Sequence, residues 1–424
     1  MTTLHDDLRW RGLLFQETEG CEAHLAKGPV TGYCGFDPTA ESLHVGNLVS
    51  LMGLVLLARA GHTALALVGG GTAMIGDPSG KSEERPMRSA DEIAANAELI
   101  WQQIQRVATN ALGAESLARF MVRNNSEWLA GQGLIEFLRD TGKHFTVNWM
   151  MQKDSVKSRM ETGISFTEFS YMLLQAYDFQ RLHAKDGVSL QIGGSDQWGN
   201  ITAGTELIRR TVRGEAHGLT FPLLTDSHGK KFGKTESGAV YLDAKLTSVY
   251  KFYQFWINAD DVEIGRLLRT FTLMSQAEIE AIEGTHAAAP HERHAQKRLA
   301  AEVTSLIHGA SATEVAESVS RTVFDKKSDA HTLSDAVFGM LAAEMPSVRV
   351  AAGSGELDIV DVLAEAFALS KSAARKLVQQ GAIAVNGAKL PADATHVPLA
   401  DAVRGRWILV RKGAREIAVV EAHA

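Results

Sequence analysis

Two short segments combine residue types that could hold and process a phosphate chain. The first, Pro38-Thr39-Ala40-Glu41-Ser42-Leu43-His44-Val45-Gly46-Asn47, lies between a strand-like run and a helical one. A glycine lets a flat base approach the backbone closely. Beside it, a histidine and the amides of a helix start can bond phosphate oxygens. The second segment, Lys231-Phe232-Gly233-Lys234-Thr235, follows the turn-like Thr225-Asp226-Ser227-His228-Gly229. Two lysines three apart on a glycine-bearing loop can close over a triphosphate and neutralise charge as pyrophosphate leaves. Either segment alone is a weak sign, since a lone histidine is usually structural and loop lysines are usually only solvated. Together, in this order and roughly 190 residues apart, they are a much stronger one.

Such segments need a scaffold. Residues 30–36 are short, apolar and bounded by turn residues, as a strand would be, and Asp37-Pro38-Thr39 opens a turn. Residues 45–60 have helical composition closed by Gly61, and residues 64–68 read as a second buried strand running into Gly69-Gly70-Gly71. This succession is the βαβ unit of a parallel, Rossmann-like α/β sheet, expected over residues 1–226. Ligands bind beyond the carboxyl ends of such strands, where the neighbourhood of Tyr33 and the segment from Gly69 to Asp77 would lie.

After about Lys245 the texture turns helical. Ser275 with Glu278, and Ser311 with Glu314, have capping-box spacing, and Gly284 can end the first of these helices. Leu299, Val303, Leu306 and Ile307 make one apolar face, with Gly309 as a stop. An all-α domain is expected over 227–344, then a linker at 345–356 and a small α+β domain over 357–424. In that last domain Ile359, Val360, Leu363 and Phe367 define one helix, and Ser370 to Gln380 a second, basic one. Asn386-Gly387 marks a tight turn between short strands, and Arg411-Lys412-Gly413 joins a closing hairpin.

Two cysteines, Cys21 and Cys34, exclude a disulfide scaffold and a four-thiolate zinc site and suit a reducing cytoplasm. Met1 to Gly20 resembles neither a signal nor a transit peptide, and the longest apolar stretch, Leu48 to Ala58, is too short to span a bilayer. A soluble cytoplasmic protein without a membrane role is expected. The net charge is −7, but from Lys371 onward nine Lys or Arg face four Asp or Glu, so the preceding part carries −12. A basic tail on an acidic body fits a restricted RNA contact surface, and fits a merely solvated charged face about equally well.

The two segments resemble the HIGH and KMSKS signatures of class I aminoacyl-tRNA synthetases, and the sequence between them is similar to the bacterial tyrosyl branch. The matching stretches are Gly32-Tyr33-Cys34-Gly35-Phe36-Asp37-Pro38-Thr39, Ile75-Gly76-Asp77-Pro78-Ser79-Gly80-Lys81, Ile164-Ser165-Phe166-Thr167-Glu168-Phe169-Ser170-Tyr171 and Gln191-Ile192-Gly193-Gly194-Ser195-Asp196-Gln197-Trp198-Gly199-Asn200. The likeness runs from about residue 5 to the end and is weaker from about 285 to 350. Asn47 stands where many members of the class have a second histidine, and Phe232, Gly233 and Thr235 stand where Met, Ser and Ser are usual. The tyrosyl branch tolerates these variants.

The resemblance implies roles. Tyr33 and Asp178 would hold a substrate phenol hydroxyl. Tyr171, Gln175 and Asp77 would bind the ammonium, with Gln197 and Asn125 in support. Tyr171, Gln175 and Asp178 are four and three residues apart, so one helix face can present all three. Asp37 and Asp196 would lie near the ribose and amino acid, Gly35, Gly46 and Gly194 close to the nucleotide, and Cys34 beside the ribose. Thr39, His44 and Asn47 would act on the leaving phosphates, joined by Lys81 and Arg85 and, from the other side, by Lys231, Lys234 and Thr235. ATP would bring Mg²⁺ with it, without a dedicated protein metal site. Lys371, Arg375 and Lys376 would face RNA phosphates in a ribosomal-protein-like module. The implied partners are L-tyrosine, ATP and tRNA(Tyr), in a homodimer built around residues 125–160. A tryptophanyl synthetase, a small-molecule nucleotidyltransferase and a non-catalytic RNA-binding derivative are the competing readings.

Overall fold

The computed structural model describes residues 3–80, 88–160, 163–225, 232–235, 238–325, 328–351, 355–414 and 416–423. The chain divides into two compact units, one formed by Met1–Thr247 with Trp256–Ile307, the other by Ser248–Phe255 with His308–Ala424.

The first unit is organised by a six-stranded sheet of β1 (Gln16–Glu17), β2 (Thr31–Phe36), β3 (Thr63–Val68), β4 (Phe120–Asn124), β5 (Val188–Gly194) and β6 (His217–Phe221). Their order is β1-β6-β5-β2-β3-β4, with every pair parallel except the edge strand β1 on β6. The chain steps from β2 through β3 to β4 on one side and then returns to place β5 on the other flank of β2. This reversal opens a crevice at the carboxyl ends of β2 and β5, the usual ligand position in open α/β sheets. The helix Val45–Arg59 is apolar nearly all round and buried over most of its length, which is why Leu48 to Ala58 forms an unbroken hydrophobic run. No helix among the described residues is long and apolar enough to cross a membrane.

The expected capping box at Ser275 and Glu278 is present, but its helix runs through Gly284 to Ala288. A single exposed glycine weakens a helix by only about 1 kcal/mol, too little to end it. Ser311 does not cap a helix: the helix Ala310–Phe324 starts one residue earlier, after Gly309. Leu299, Val303, Leu306 and Ile307 share the buried face of the helix His294–His308.

Two short strands, β7 (Lys234–Thr235) and β8 (Gly238–Ala239), pair antiparallel in the first unit. In the second unit lies β9 (Ser347–Ala351), within the stretch expected to be a linker. β10 (Glu356–Asp358) pairs with β13 (His396–Pro398), while β11 (Ile383–Val385), β12 (Ala388–Lys389), β14 (Trp407–Lys412) and β15 (Glu416–His423) complete a second sheet. β9 joins that sheet parallel to β15, because Val348 alternates with exposed neighbours and can bury one face. Asn386 and Gly387 form the expected turn between β11 and β12. The helical stretch 227–344 is shared between the two units. Val319, Val337, Phe338 and Leu341 pack with Trp407, Leu409, Ile417 and Val419 in one core of the second unit.

Candidate functional site

The crevice at the ends of β2 and β5 widens into a cavity of about 620 Å³. Tyr33, Cys34, Gly35, Asp37, Thr39, His44, Gly46, Asn47, Asp77, Asn125, Tyr171, Gln175, Asp178, Gly194, Asp196 and Gln197 all line it. One site therefore gathers sixteen positions from across 165 residues of sequence.

At one end sits Asp178, on the helix Phe166–Asp186 and 2% exposed. Its Oδ1 accepts from Trp128 Nε1 at 2.7 Å and its Oδ2 from Asn125 Nδ2 at 2.8 Å. Burial pushes its pKa up to about 7, the bonds from Asn125 and Trp128 pull it back, and the like charge of Asp37 adds to the rise. Tyr33, on β2 and 1% exposed, has a hydroxyl with no hydrogen-bond partner among the described residues. Burial first, and then the Asp178 charge, hold that phenol well above its ordinary range, so it stays protonated. Asn125, expected in a supporting role, lines the cavity and donates to Asp178, also donating to Thr72 Oγ1 at 2.9 Å and accepting from Gly71 N at 2.7 Å.

Further along, Asp37 Oδ2 accepts from the Tyr171 hydroxyl at 2.8 Å and its Oδ1 from Thr72 Oγ1 at 2.7 Å. Gly69 is required here, because an added Cβ would overlap Asp37 Oδ1. Burial, followed by the charges of Asp37 and Asp77, raises the Tyr171 phenol well above its ordinary value. Asp77 accepts from Gln197 Nε2 at 2.7 Å and from Ser79 N at 2.9 Å. Burial raises the Cys34 thiol to about 12, which makes it a small buried hydrophobe rather than a nucleophile.

The two signature segments meet at the mouth. His44 caps the helix Val45–Arg59, its Nδ1 accepting from Gly46 N at 3.0 Å while Asn47 Oδ1 accepts from His44 N at 3.1 Å. The residue that departs from the class pattern thus closes a capping box. The helix-start amides expected to bond phosphate are already engaged. Val45 N donates to Val240 O, Gly46 N to the His44 ring and Asn47 N to His44 O. A ring that accepts at Nδ1 carries its proton on Nε2, so the donor this helix start presents is the imidazole. Across from it Val240 N donates to Gly233 O at 2.9 Å, and Gly233 adopts φ +82°, which favours glycine over the usual serine. Phe232 stacks on Phe271 and packs against Trp256, which accounts for an aromatic ring where Met is usual. Lys81, Arg85 and Lys231 lie outside the described residues. Lys234 and Thr235 are described only as the backbone of β7.

Sequence reasoning missed Trp128 and Thr72, which hold the two central carboxylates. Their bonds span 50 and 35 positions and leave no local pattern. Among the described residues no group of three or more His, Cys, Asp or Glu is placed to hold a metal ion. In the second unit Lys371, Arg375 and Lys376 are exposed on the helix Lys371–Gln379, opposite the buried Ala374 and Val378.

The fold is an open, mostly parallel α/β sheet with a polar pocket at its topological reversal. The family model described as tRNA synthetases class I (W and Y) matches residues 25–325, and that of the tyrosine–tRNA ligase SYY-like C-terminal domain matches residues 338–420. A tyrosine–tRNA ligase of Roseiflexus castenholzii is 49% identical over 421 residues, 98% of each chain. One of Anaeromyxobacter dehalogenans is 49% identical over 423 residues, 99% of this chain and 100% of its own. The crystal structure of a C-terminally truncated mitochondrial tyrosyl-tRNA synthetase of Aspergillus nidulans matches with a TM-score of 0.70 and 30% identity, over 76% of this chain and 95% of that one. The chain belongs to the class I tRNA synthetases of the tryptophan and tyrosine type, and within them to the tyrosine–tRNA ligase family.

Proposed function

We propose that this chain activates L-tyrosine with ATP to tyrosyl-adenylate and pyrophosphate, then transfers tyrosine to the terminal adenosine of tRNA(Tyr) and releases AMP. The observation that carries the reading is the buried hydroxyl of Tyr33, without a partner among the described residues, in the cavity that Asp178 also lines. A phenol entering there would donate to Asp178 and accept from Tyr33. Phenylalanine would leave the Tyr33 hydroxyl buried and unpaired, at a cost of about 1–3 kcal/mol, and would give Asp178 no donor beyond Asn125 and Trp128.

In this reading Asp77, Tyr171 and Gln175 hold the ammonium, with Gln197 orienting Asp77. Asp37, Asp196, Gly35, Gly46, Gly194 and Cys34 surround the adenosine. The tyrosine carboxylate attacks the α-phosphate in line, and pyrophosphate leaves with the electron pair of the broken P–O bond. Charge gathers on the phosphoryl oxygens, so a donor aimed there in advance stabilises the transition state without a general base. His44 Nε2–H is such a donor, with Thr39 beside it and Lys81, Arg85, Lys231 and Lys234 completing the clamp. ATP enters as its Mg²⁺ complex. The ribose hydroxyl of the tRNA end then attacks the adenylate carbonyl and AMP departs.

The exposed helix bearing Lys371, Arg375 and Lys376 supports an RNA contact. A homodimer is supported by the apolar side chains crowded between residues 134 and 166, where Leu134, Ile135 and Phe166 are 69%, 70% and 78% exposed. We assign the protein to the cytoplasm, where its tRNA and amino acid are found. Exchange of pyrophosphate into ATP, run with tyrosine, phenylalanine or tryptophan and no tRNA, tests the reading. Tyrosine alone should support exchange, whereas exchange with tryptophan would overturn the pocket assignment.

A further inference from the structure

The helix Ala90–Ala111 buries a stripe containing Ile93, Ala97, Ile100, Ile104 and Val107, and two amides fall within its register, Asn96 and Gln103. Gln103 is 3% exposed, and such a group is retained only where its bonds are made. Its Oε1 accepts from Leu43 N at 3.1 Å and lies 3.1 Å from Ser42 Oγ, while its Nε2 donates to Glu41 O at 3.2 Å. Three consecutive residues just ahead of His44 are therefore held by one side chain.

Ser42 and Leu43, with His44 after them, are also tied to the stretch that follows the other signature segment. Ser42 Oγ accepts from Asp243 N at 3.1 Å, Leu43 O accepts from Leu242 N at 2.8 Å, and His44 bridges Tyr241. The stretch from Val240 to Asp243 leads directly out of the β7–β8 hairpin that begins with Lys234. Gln103 thus sits behind the junction of the His44 segment with the stretch that leaves the β7–β8 hairpin.

We propose that Gln103 is a positioning residue for the ATP-activation step, acting through Ser42 and Leu43 to fix His44 relative to the lysine-bearing hairpin. The inference rests on the functional reading above. Misplacement of a reacting group by about 1 Å can slow chemistry by roughly 10²-fold. Gln103→Met keeps the length and removes every hydrogen bond. It should lower kcat for tyrosine-dependent pyrophosphate exchange by about 10- to 100-fold and leave the tyrosine Kd measured without ATP unchanged. Asp178 and Tyr33 are held by other elements. Gln103→Glu supplies a control. Its buried carboxyl, once protonated, has the same acceptor and donor as the amide, so its activity relative to the unaltered protein should recover as pH falls. Ser42→Ala, a smaller change, should reproduce the kcat loss.

Amide hydrogen exchange decides the clamp without turnover. The Leu43, Leu242 and Asp243 amides should lose protection in Gln103→Met. Unchanged protection overturns the proposal whatever the enzyme acts on, as does an unchanged kcat or a kcat loss matched by lost tyrosine binding. Absence of tyrosine-dependent exchange in the unaltered chain would instead count against the functional reading, with the clamp still decided by amide protection.

Discussion

Trp128 donates its indole N–H to Oδ1 of Asp178 at 2.7 Å, fixing a carboxylate that burial alone would leave protonated at neutral pH. Indole has a donor and no acceptor, so this contact is satisfied only by the ionised oxygen or the carbonyl oxygen of the acid. The pairing leaves Asp178 near its midpoint at physiological pH, where binding of a further donor can decide its charge.

A pH dependence follows. With Asp178 at about 7 in the free protein, a phenol that donates to it favours the ionised form. Below that pH the carboxyl must lose a proton before tyrosine binds, and each further unit should weaken binding about tenfold. Titrating tyrosine by intrinsic fluorescence between pH 5.5 and 8.5 reads this directly. A Kd independent of pH over that range would remove Asp178 as the phenol acceptor. Trp128→Phe should move the midpoint upward, since it removes a bond that lowers the Asp178 pKa.

His44 performs two separable tasks. Its Nδ1 caps the helix and its Nε2 carries the proton. His44→Asn replaces it with a good capping residue and removes the outer donor. The expected result is near-normal stability and normal tyrosine affinity, with adenylate formation slowed by about 10²- to 10³-fold. His44→Ala should add a stability loss of roughly 1 kcal/mol from the lost cap. Stopped-flow kinetics beside thermal melts separates the two effects, and a large loss of tyrosine binding in either variant would refute the assignment.

The βαβ start and the basic helix of the second unit were legible in the sequence pattern, whereas the pocket residues on β2 and β5 were legible only through the family resemblance. Strand alternation, glycine turns and helical spacing are local, and local patterns survive in one dimension. What escaped was set by distant partners. Gln103 occupies the buried register of its helix, a readable sign, but a polar residue in that register reveals neither its burial nor its partners. The linker around Pro346 reads as a breaker, yet its next residues complete a sheet by pairing with β15, some seventy positions on. Ser311 has the right spacing for a cap, but Gly309 starts the helix first.

Acid should loosen the amino-end region of the main sheet. His62 Nδ1 accepts from Val30 N at 3.1 Å, and His24 packs its ring 4.5 Å from that of His217. Burial holds both His62 and His24 below the ordinary value of 6.5. The neighbouring positive charge lowers them further, His24 and Arg119 for His62, and His217 for His24, where Glu215 opposes. The unfolded chain therefore takes up protons first as pH falls. Stability contributed by keeping these rings neutral is complete above 6.5 and is lost as pH drops below it through their folded values. Melting temperatures of the unaltered protein should fall below pH 6.5. A His24→Gln/His62→Gln variant should show a shallower fall, and an equally steep one would exclude these histidines as the cause.

Trp407 should matter to the second unit and not to amino-acid activation. It is 3% exposed, stacks on Phe338 with ring centroids 5.6 Å apart, and donates its indole N–H to Asp335 Oδ1 at 2.8 Å. Its neighbours Leu409, Ile417 and Val419 cover the same helices, so β14 and β15 are part of the core that includes Val319 and Leu341. Trp407→Ala should destabilise this unit by about 3–5 kcal/mol, the range for a large buried aromatic. Every described residue lining the cavity belongs to the first unit, so tyrosine-dependent pyrophosphate exchange should stay within twofold of normal. Charging of tRNA should fall with the fraction of the second unit unfolded, measured by hydrogen exchange of the β14 and β15 amides at the assay temperature. Exchange and charging falling together would mean that the second unit supports the activation step as well as the RNA contact.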